Sequence, residues 1–135
     1  MDVPNGRAIT QQVVVWLPVF GGRGQLGSSS GTLYTAPTSS TPTGTLPTLL
    51  TSIVLCNTDT VDRDVTLYLV ESGGSVGTNR MILSAATLPA GKTWVLDFGD
   101  EGGIALEGAE TLAGFADLAS KVTYRVSVKQ MSLLA

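Results

Sequence analysis

From Leu49 onward the apolar residues recur at every second position in short runs, with turn-forming residues between them and almost no helical periodicity. Val122, Tyr124, Val126 and Val128 alternate with Thr123, Arg125 and Ser127, the clearest such run in the chain. Val65, Leu67 and Leu69 alternate with Thr66 and Tyr68 as a strand with one covered face would, and Trp94, Leu96 and Phe98 alternate with Val95 and Asp97. Arg80 to Thr87 predicts a strand with Met81, Leu83 and Ala85 on one side, and Leu112 to Ala116 a weaker one. Leu49 to Cys56 is apolar on both alternations, the pattern of a strand covered on both faces. Asn57 to Asp62 supplies turn chemistry, so this strand and the Val65 strand are expected to form a hairpin. Ser72 to Gly77, Pro89 to Lys92, Gly99 to Gly103 and Glu107 to Glu110 mark the other breaks. Six or seven strands at this spacing predict an all-β fold, an antiparallel β-sandwich of the jelly-roll kind.

The beginning of the chain behaves differently. One apolar run, Val13 to Phe20, is followed by a stretch rich in Gly, Ser, Thr and Pro as far as Pro47. Pro18 inside the run demotes it from a central strand to an edge or extended segment. An exposed Val-Val-Val-Trp-Leu would invite aggregation, so the run must pair with a sheet edge or lie on a neighbouring subunit. The division expected is an extended N-terminal arm over residues 1–32 and a sandwich over residues 33–135, with Val13, Val14, Val15, Trp16, Leu17 and Phe20 as partner-binding anchors. The competing reading is that the run supplies one more strand to its own sandwich.

Composition narrows the chemistry. The chain has 135 residues, the size of one domain, of which 43% are hydrophobic and 14% charged, and it carries a net charge of -3. A neutral surface of Thr, Ser and Gly lacks the electrostatic reach that nucleic-acid binding needs. No apolar run approaches the roughly 18 residues of a membrane span, and the N-terminus lacks a signal-peptide pattern, so neither a nucleic-acid nor a membrane partner is expected. A mean hydropathy of +0.28 is high for a small monomer and points to self-association.

There is no histidine, which removes histidine-dependent triads, and the single Cys56 forbids an internal disulfide and multi-cysteine zinc sites. Within Ile53-Val54-Leu55-Cys56 the thiol reads as a small buried hydrophobe. Gly22-Arg23-Gly24-Gln25-Leu26-Gly27 matches G-x-G-x-x-G, but no helix follows, so the glycines read as a flexible joint between arm and sandwich. Asp97-Phe98-Gly99 spells a kinase tripeptide in a chain too short for that fold. Two acidic turns, Asp59 with Asp62 and Asp64, and Asp97 with Asp100 and Glu101, are candidates for calcium without EF-hand spacing. Trp16, Trp94, Tyr34, Tyr68 and Tyr124 could stack on sugars if exposed together, although Trp94 and Tyr124 fall on core alternations. No catalytic, cofactor or metal residue is therefore expected, and no enzyme.

Leu33-Tyr34-Thr35-Ala36-Pro37, then Leu49 to Thr58, then Val65-Thr66-Leu67-Tyr68-Leu69-Val70 before Ser72-Gly73-Gly74 together resemble small tailed-phage virion proteins. Leu88 to Thr93 and Ile104 to Leu112 extend the resemblance, which covers about residues 33 to 128, while the Pro37 to Pro47 segment is longer than the turn usual at that place. The resemblance implies a β-sandwich in a phage particle. The expected function is a non-enzymatic capsid decoration protein, a homo-oligomer and specifically a trimer, bound to the major capsid protein or other virion proteins, within a virion assembled in the host cytoplasm. The alternatives are a neck, tail or fibre component, or a carbohydrate-binding module.

Overall fold

The computed structural model describes residues 13–37, 48–71, 80–99, 103–106 and 108–134, with side chains of 13–17, 19, 20 and 131–134 left aside. Among the described residues there are nine strands and no α-helix. They are β1 (Val13–Gln25), β2 (Gly31–Thr35), β3 (Thr48–Asn57), β4 (Arg63–Val70), β5 (Met81–Leu88), β6 (Thr93–Asp97), β7 (Ile104–Leu106), β8 (Thr111–Ala116) and β9 (Val122–Leu134). Every pairing is antiparallel. One sheet runs β1-β9-β3-β6, with β7 also on β3, and the other runs β2-β8-β4-β5. With the short β7 set aside, the first strand pairs with the last and the chain changes sheet at every step except from β4 to β5, which is jelly-roll winding and the expected fold class.

The core lies between the sheets. Leu50, Ile53, Leu55, Val122, Val126 and Val128 from the first sheet meet Val65, Leu67, Leu69, Leu112 and Ala116 from the second, all buried. The alternations read in the sequence on β6 and β9 are those of the structure: Trp94, Leu96 and Tyr124 pack against this cluster. Gly114 on β8 faces Leu67, and a Cβ there would stand 2.6 Å from both Leu67 Cδ2 and the Thr66 carbonyl, so only glycine lets these two central strands close.

Several expectations are corrected. β3 and β4 do not form a hairpin. They belong to different sheets, because each has a better-matched neighbour in β9 and β8, so Asn57 to Asp62 carries the chain across the sandwich. β4 is buried on both faces, including Thr66 and Tyr68, where alternation predicted one open face. The Tyr68 hydroxyl has no hydrogen-bond partner among the described residues, and burial pushes its pKa above the ordinary tyrosine value. β3 shows the reverse: Val54 and Cys56 are only half-buried, on the face away from the core. The thiol is thus a sheet-face group and not a core hydrophobe.

The glycine-rich stretch is also not a joint. Gly21 to Gln25 continue β1 along β9, Leu26 is buried with its amide bonded to the Val122 carbonyl at 2.8 Å, and the Ala116 amide bonds the Gly27 carbonyl at 2.9 Å. Val13–Gln25 is the outer strand of the sandwich's own sheet, and the boundary drawn between residues 32 and 33 falls inside β2. Leu26, Leu33 and Ala36 join the core, which the low apolar density of this region concealed. Removing residues 1–32 would therefore strip β9 of a neighbour and expose core, where the sequence alone predicted an intact sandwich.

Candidate functional site

The described acidic side chains are committed to arginines, backbone amides or a hydroxyl. Asp59 accepts two hydrogen bonds from the Arg63 guanidinium, at 2.6 and 2.9 Å, and one from the Thr60 amide at 2.7 Å. These bonds, the Arg63 one foremost, hold the Asp59 carboxyl below the usual carboxylate range, and the same pairing raises Arg63. A depressed folded pKa contributes stability that is present above the unfolded value near 3.8 and lost as pH falls through the folded one. The expected result is an acid unfolding limb below about pH 4 that flattens in Asp59→Asn, followed by circular dichroism across a pH series. An unchanged limb in that variant would assign acid sensitivity to other carboxylates.

Asp62 accepts from the Ala90 amide at 3.0 Å and Asp64 from the Thr87 hydroxyl at 2.9 Å. Each of the three acids in this turn thus faces a different partner, and among the described residues no three His, Cys, Asp or Glu side chains converge as metal ligands would. Asp97 accepts from the Gly99 amide at 2.8 Å, closing a local turn, while Asp100 and Glu101 lie outside the described residues. Arg80 bridges Glu110 at 2.9 Å and Glu71 at 3.2 Å. These arrangements fasten loops, and none of them sets a nucleophile beside a base.

What the described molecule does present is sheet edge. The two sheets end in β1 and β6, and in β2 and β5. Edges are managed with prolines, bulges and charges, since an unpaired row of N–H and C=O groups templates another strand. β1 has Pro18 and a register shift between Phe20 and Gly22, β2 a shift between Thr32 and Tyr34, and β5 two shifts and Ala85 at φ 44°. β6 has neither a proline nor a register shift, and its one charge, Asp97, is at its end: its five residues pair straight along β3 from Ser52↔Asp97 to Cys56↔Thr93. Val95 at its centre is 63% exposed, the largest exposure among the big apolar residues described. Beside it, Leu83 of β5 and Thr93, Trp94, Val95 and Leu96 of β6 line an open groove of about 360 Å³ at a seam of the sandwich that the described residues leave uncovered.

The anchors expected from the sequence lie on the opposite edge. Val13, Val14, Val15, Trp16 and Leu17 pair by backbone with Leu134, Leu133, Ser132, Met131 and Gln130, and Phe20 with Ser127. Nothing among the described residues pairs with the outer side of β1. Near its end β1 bears Arg23, directly across from Arg125, and Arg23, Gly24, Gln25, Thr123, Tyr124 and Arg125 border a shallow depression of about 480 Å³. Sequence reasoning did not single out β6 as an open edge. The available signal was Val95, an apolar residue on the outward alternation of a strand whose inward residues are Trp94, Leu96 and Phe98.

No protein-family model and no curated protein matches the sequence. Among solved structures, the chain is similar to one from the disulfide-linked pili of Bacillus endospore appendages, at 16% identity and TM-score 0.49, covering 96% of each chain. It is similar to a chain of infectious bursal disease virus, Gx strain, at 14% identity and TM-score 0.46, where it covers 93% of itself and 32% of that chain, so it spans about a third of the viral chain's length. It is also similar to the coat protein of Tobacco streak virus, at 14% identity and TM-score 0.38, covering 93% of this chain and 89% of that one.

Proposed function

We propose that this protein is a non-enzymatic structural component of a tailed-phage particle, a capsid decoration protein that works as a homo-oligomer, a trimer, against the shell. The observation that carries the reading is the 13-residue edge strand β1, whose apolar Val13 to Phe20 half has an outer side unpaired among the described residues. A chain with 14% charged residues and 43% hydrophobic ones covers such edges by association. Symmetric assemblies need many modest contacts repeated by rotation, and a sandwich with open edges supplies them. The phage setting rests on the motifs between residues 33 and 128 quoted above.

In this reading the outer side of β1, with Val13, Val14, Val15, Trp16, Leu17 and Phe20, meets the shell protein or a neighbouring subunit. Residues 1–12 of the expected arm lie outside the described residues. Because β1 belongs to the sandwich, the test is a deletion of residues 1–12 together with a separate full-length Trp16→Ala, Leu17→Ala variant, each scored for occupancy on purified particles. Reduced occupancy with an unchanged circular dichroism spectrum supports the reading, and full occupancy in both overturns the anchor assignment. Copy number by mass spectrometry of intact particles decides the location: hundreds of copies fit decoration, six or twelve a neck or tail position.

A further inference from the structure

We infer that copies of this chain join head to tail through the first sheet, the outer edge of β6 in one copy pairing with the Gly21 to Gln25 stretch of β1 in the next. The inference rests on the reading of the chain as a self-assembling structural protein and names the edges that do it.

Strand direction allows the contact. The path β1-β9-β3-β6 is antiparallel at every step, so its two end strands run in opposite directions. A second copy shifted sideways along the sheet, without being turned over, presents β1 antiparallel to β6, and the sheet continues its own pattern. Joining β6 to β6 or β1 to β1 instead requires a two-fold turn.

The side chains fit the same alignment. Three rows cross the sheet by register: Gly24, Tyr124, Leu55 and Trp94; Arg23, Arg125, Val54 and Val95; and Gly22, Val126, Ile53 and Leu96. When rows stay level from copy to copy, the incoming Gly24 and Gly22 stand opposite Trp94 and Leu96, the bulky half-buried residues beside the open groove. Side chains at those two positions are disfavoured on the chain's own account, since a Cβ on Gly22 would lie 2.9 Å from the Leu33 carbonyl oxygen and one on Gly24, at 3.1 Å from the Tyr124 hydroxyl oxygen, would require the tyrosine to shift. The glycines thus leave room for the large residues of β6. On the solvent face, the incoming Arg23 stands opposite Val95 and diagonal to Asp97, within reach of a long side chain. Opposite charges meet in this arrangement, whereas pairing the Gly21 to Gln25 stretch with itself brings Arg23 toward Arg23, and β6–β6 pairing centred on Val95 sets Asp97 beside Thr93 with no basic partner. A heterologous contact of this kind closes into a ring or continues as a row, depending on the rotation between copies.

The experiment uses the full chain. Sedimentation velocity from micromolar to near-millimolar protein is expected to show concentration-dependent association, weakened about tenfold or more by Val95→Lys, a charge placed at the exposed centre of the edge. Arg23→Asp and Asp97→Arg are each expected to weaken association, and the double exchange to restore it. In a Cys56→Ser background, mild oxidation of a mixture of R23C and V95C proteins is expected to give a disulfide heterodimer, with neither protein alone cross-linking efficiently. Circular dichroism checks that each variant is folded, and Val95 is exposed enough that its replacement leaves the core alone. Association that persists in Val95→Lys, or efficient V95C homodimers, would overturn the inference while leaving self-assembly standing. A wild-type chain that stays monomeric throughout the range would overturn both.

Discussion

Leu67→Ala is expected to lower the unfolding free energy by about 2–5 kcal/mol, a large part of the roughly 5–15 kcal/mol that holds a domain together. Leu67 is fully buried on β4, an interior strand flanked by β8 and β5, and Gly114 lies across from it with no space for even a methyl group. Truncation there leaves a cavity walled by two paired strands, and paired strands cannot collapse inward without breaking their ladder. In calorimetry the midpoint should fall by roughly 10 °C or more, at a few degrees per kcal/mol for a chain of this length. Val95→Ala, measured at dilute protein, should change it by less than about 0.5 kcal/mol, because Val95 is 63% exposed. Similar losses at the two positions would mean that the core is not where the sheets place it.

The second large effect is expected at a polar residue. Asn57 is fully buried at the end of β3, and its amide donates to the carbonyls of Val61 and Leu88, each at 2.9 Å. Its side-chain oxygen accepts from the Asp59 amide at 2.9 Å, and its backbone amide donates to the Lys92 carbonyl at 2.9 Å. The side chain thus fastens the β3–β4 crossing to the end of β5 in the other sheet. Asn57→Leu keeps the volume and removes the bonds, leaving a buried carbonyl at Leu88 and a turn without its support. Each unsatisfied buried group costs about 1–3 kcal/mol, so urea denaturation should show a loss of about 2–4 kcal/mol. A neutral outcome would show that water replaces the side chain at this end of the sandwich.

The residues with the largest expected effects differ in how far the sequence revealed them. Leu67 was legible, since Val65, Leu67 and Leu69 form an alternation that forces one face inward whatever the neighbours are. Asn57 was legible only as a turn former. Its local chemistry is the same whether the turn makes a hairpin or crosses between sheets, and the crossing is what buries it. The N-terminal region was misjudged for a related reason. Gly21 to Gly27 has too few apolar residues to announce a strand, yet β9 supplies a long partner edge, and backbone pairing asks nothing of side chains except that they stay out of the way. Cys56 and Val54 were read as core because they are apolar, but strand β3 has a second sheet on one side only.

By itself the sequence determined the class of the molecule: period-two alternation and turn chemistry admit strands and little else, and the absence of histidine with a lone cysteine removes histidine-dependent triads, internal disulfides and multi-cysteine zinc sites. It also set the expectation that surface is covered by association, because few charges accompany so much apolar surface. Which strands are neighbours, which edges are left open, and that β6 lacks the register shifts of β1, β2 and β5 were decided by the tertiary structure. The reason is that pairing is a competition among all strands at once, and its outcome depends on distances through space that no local pattern along the chain encodes.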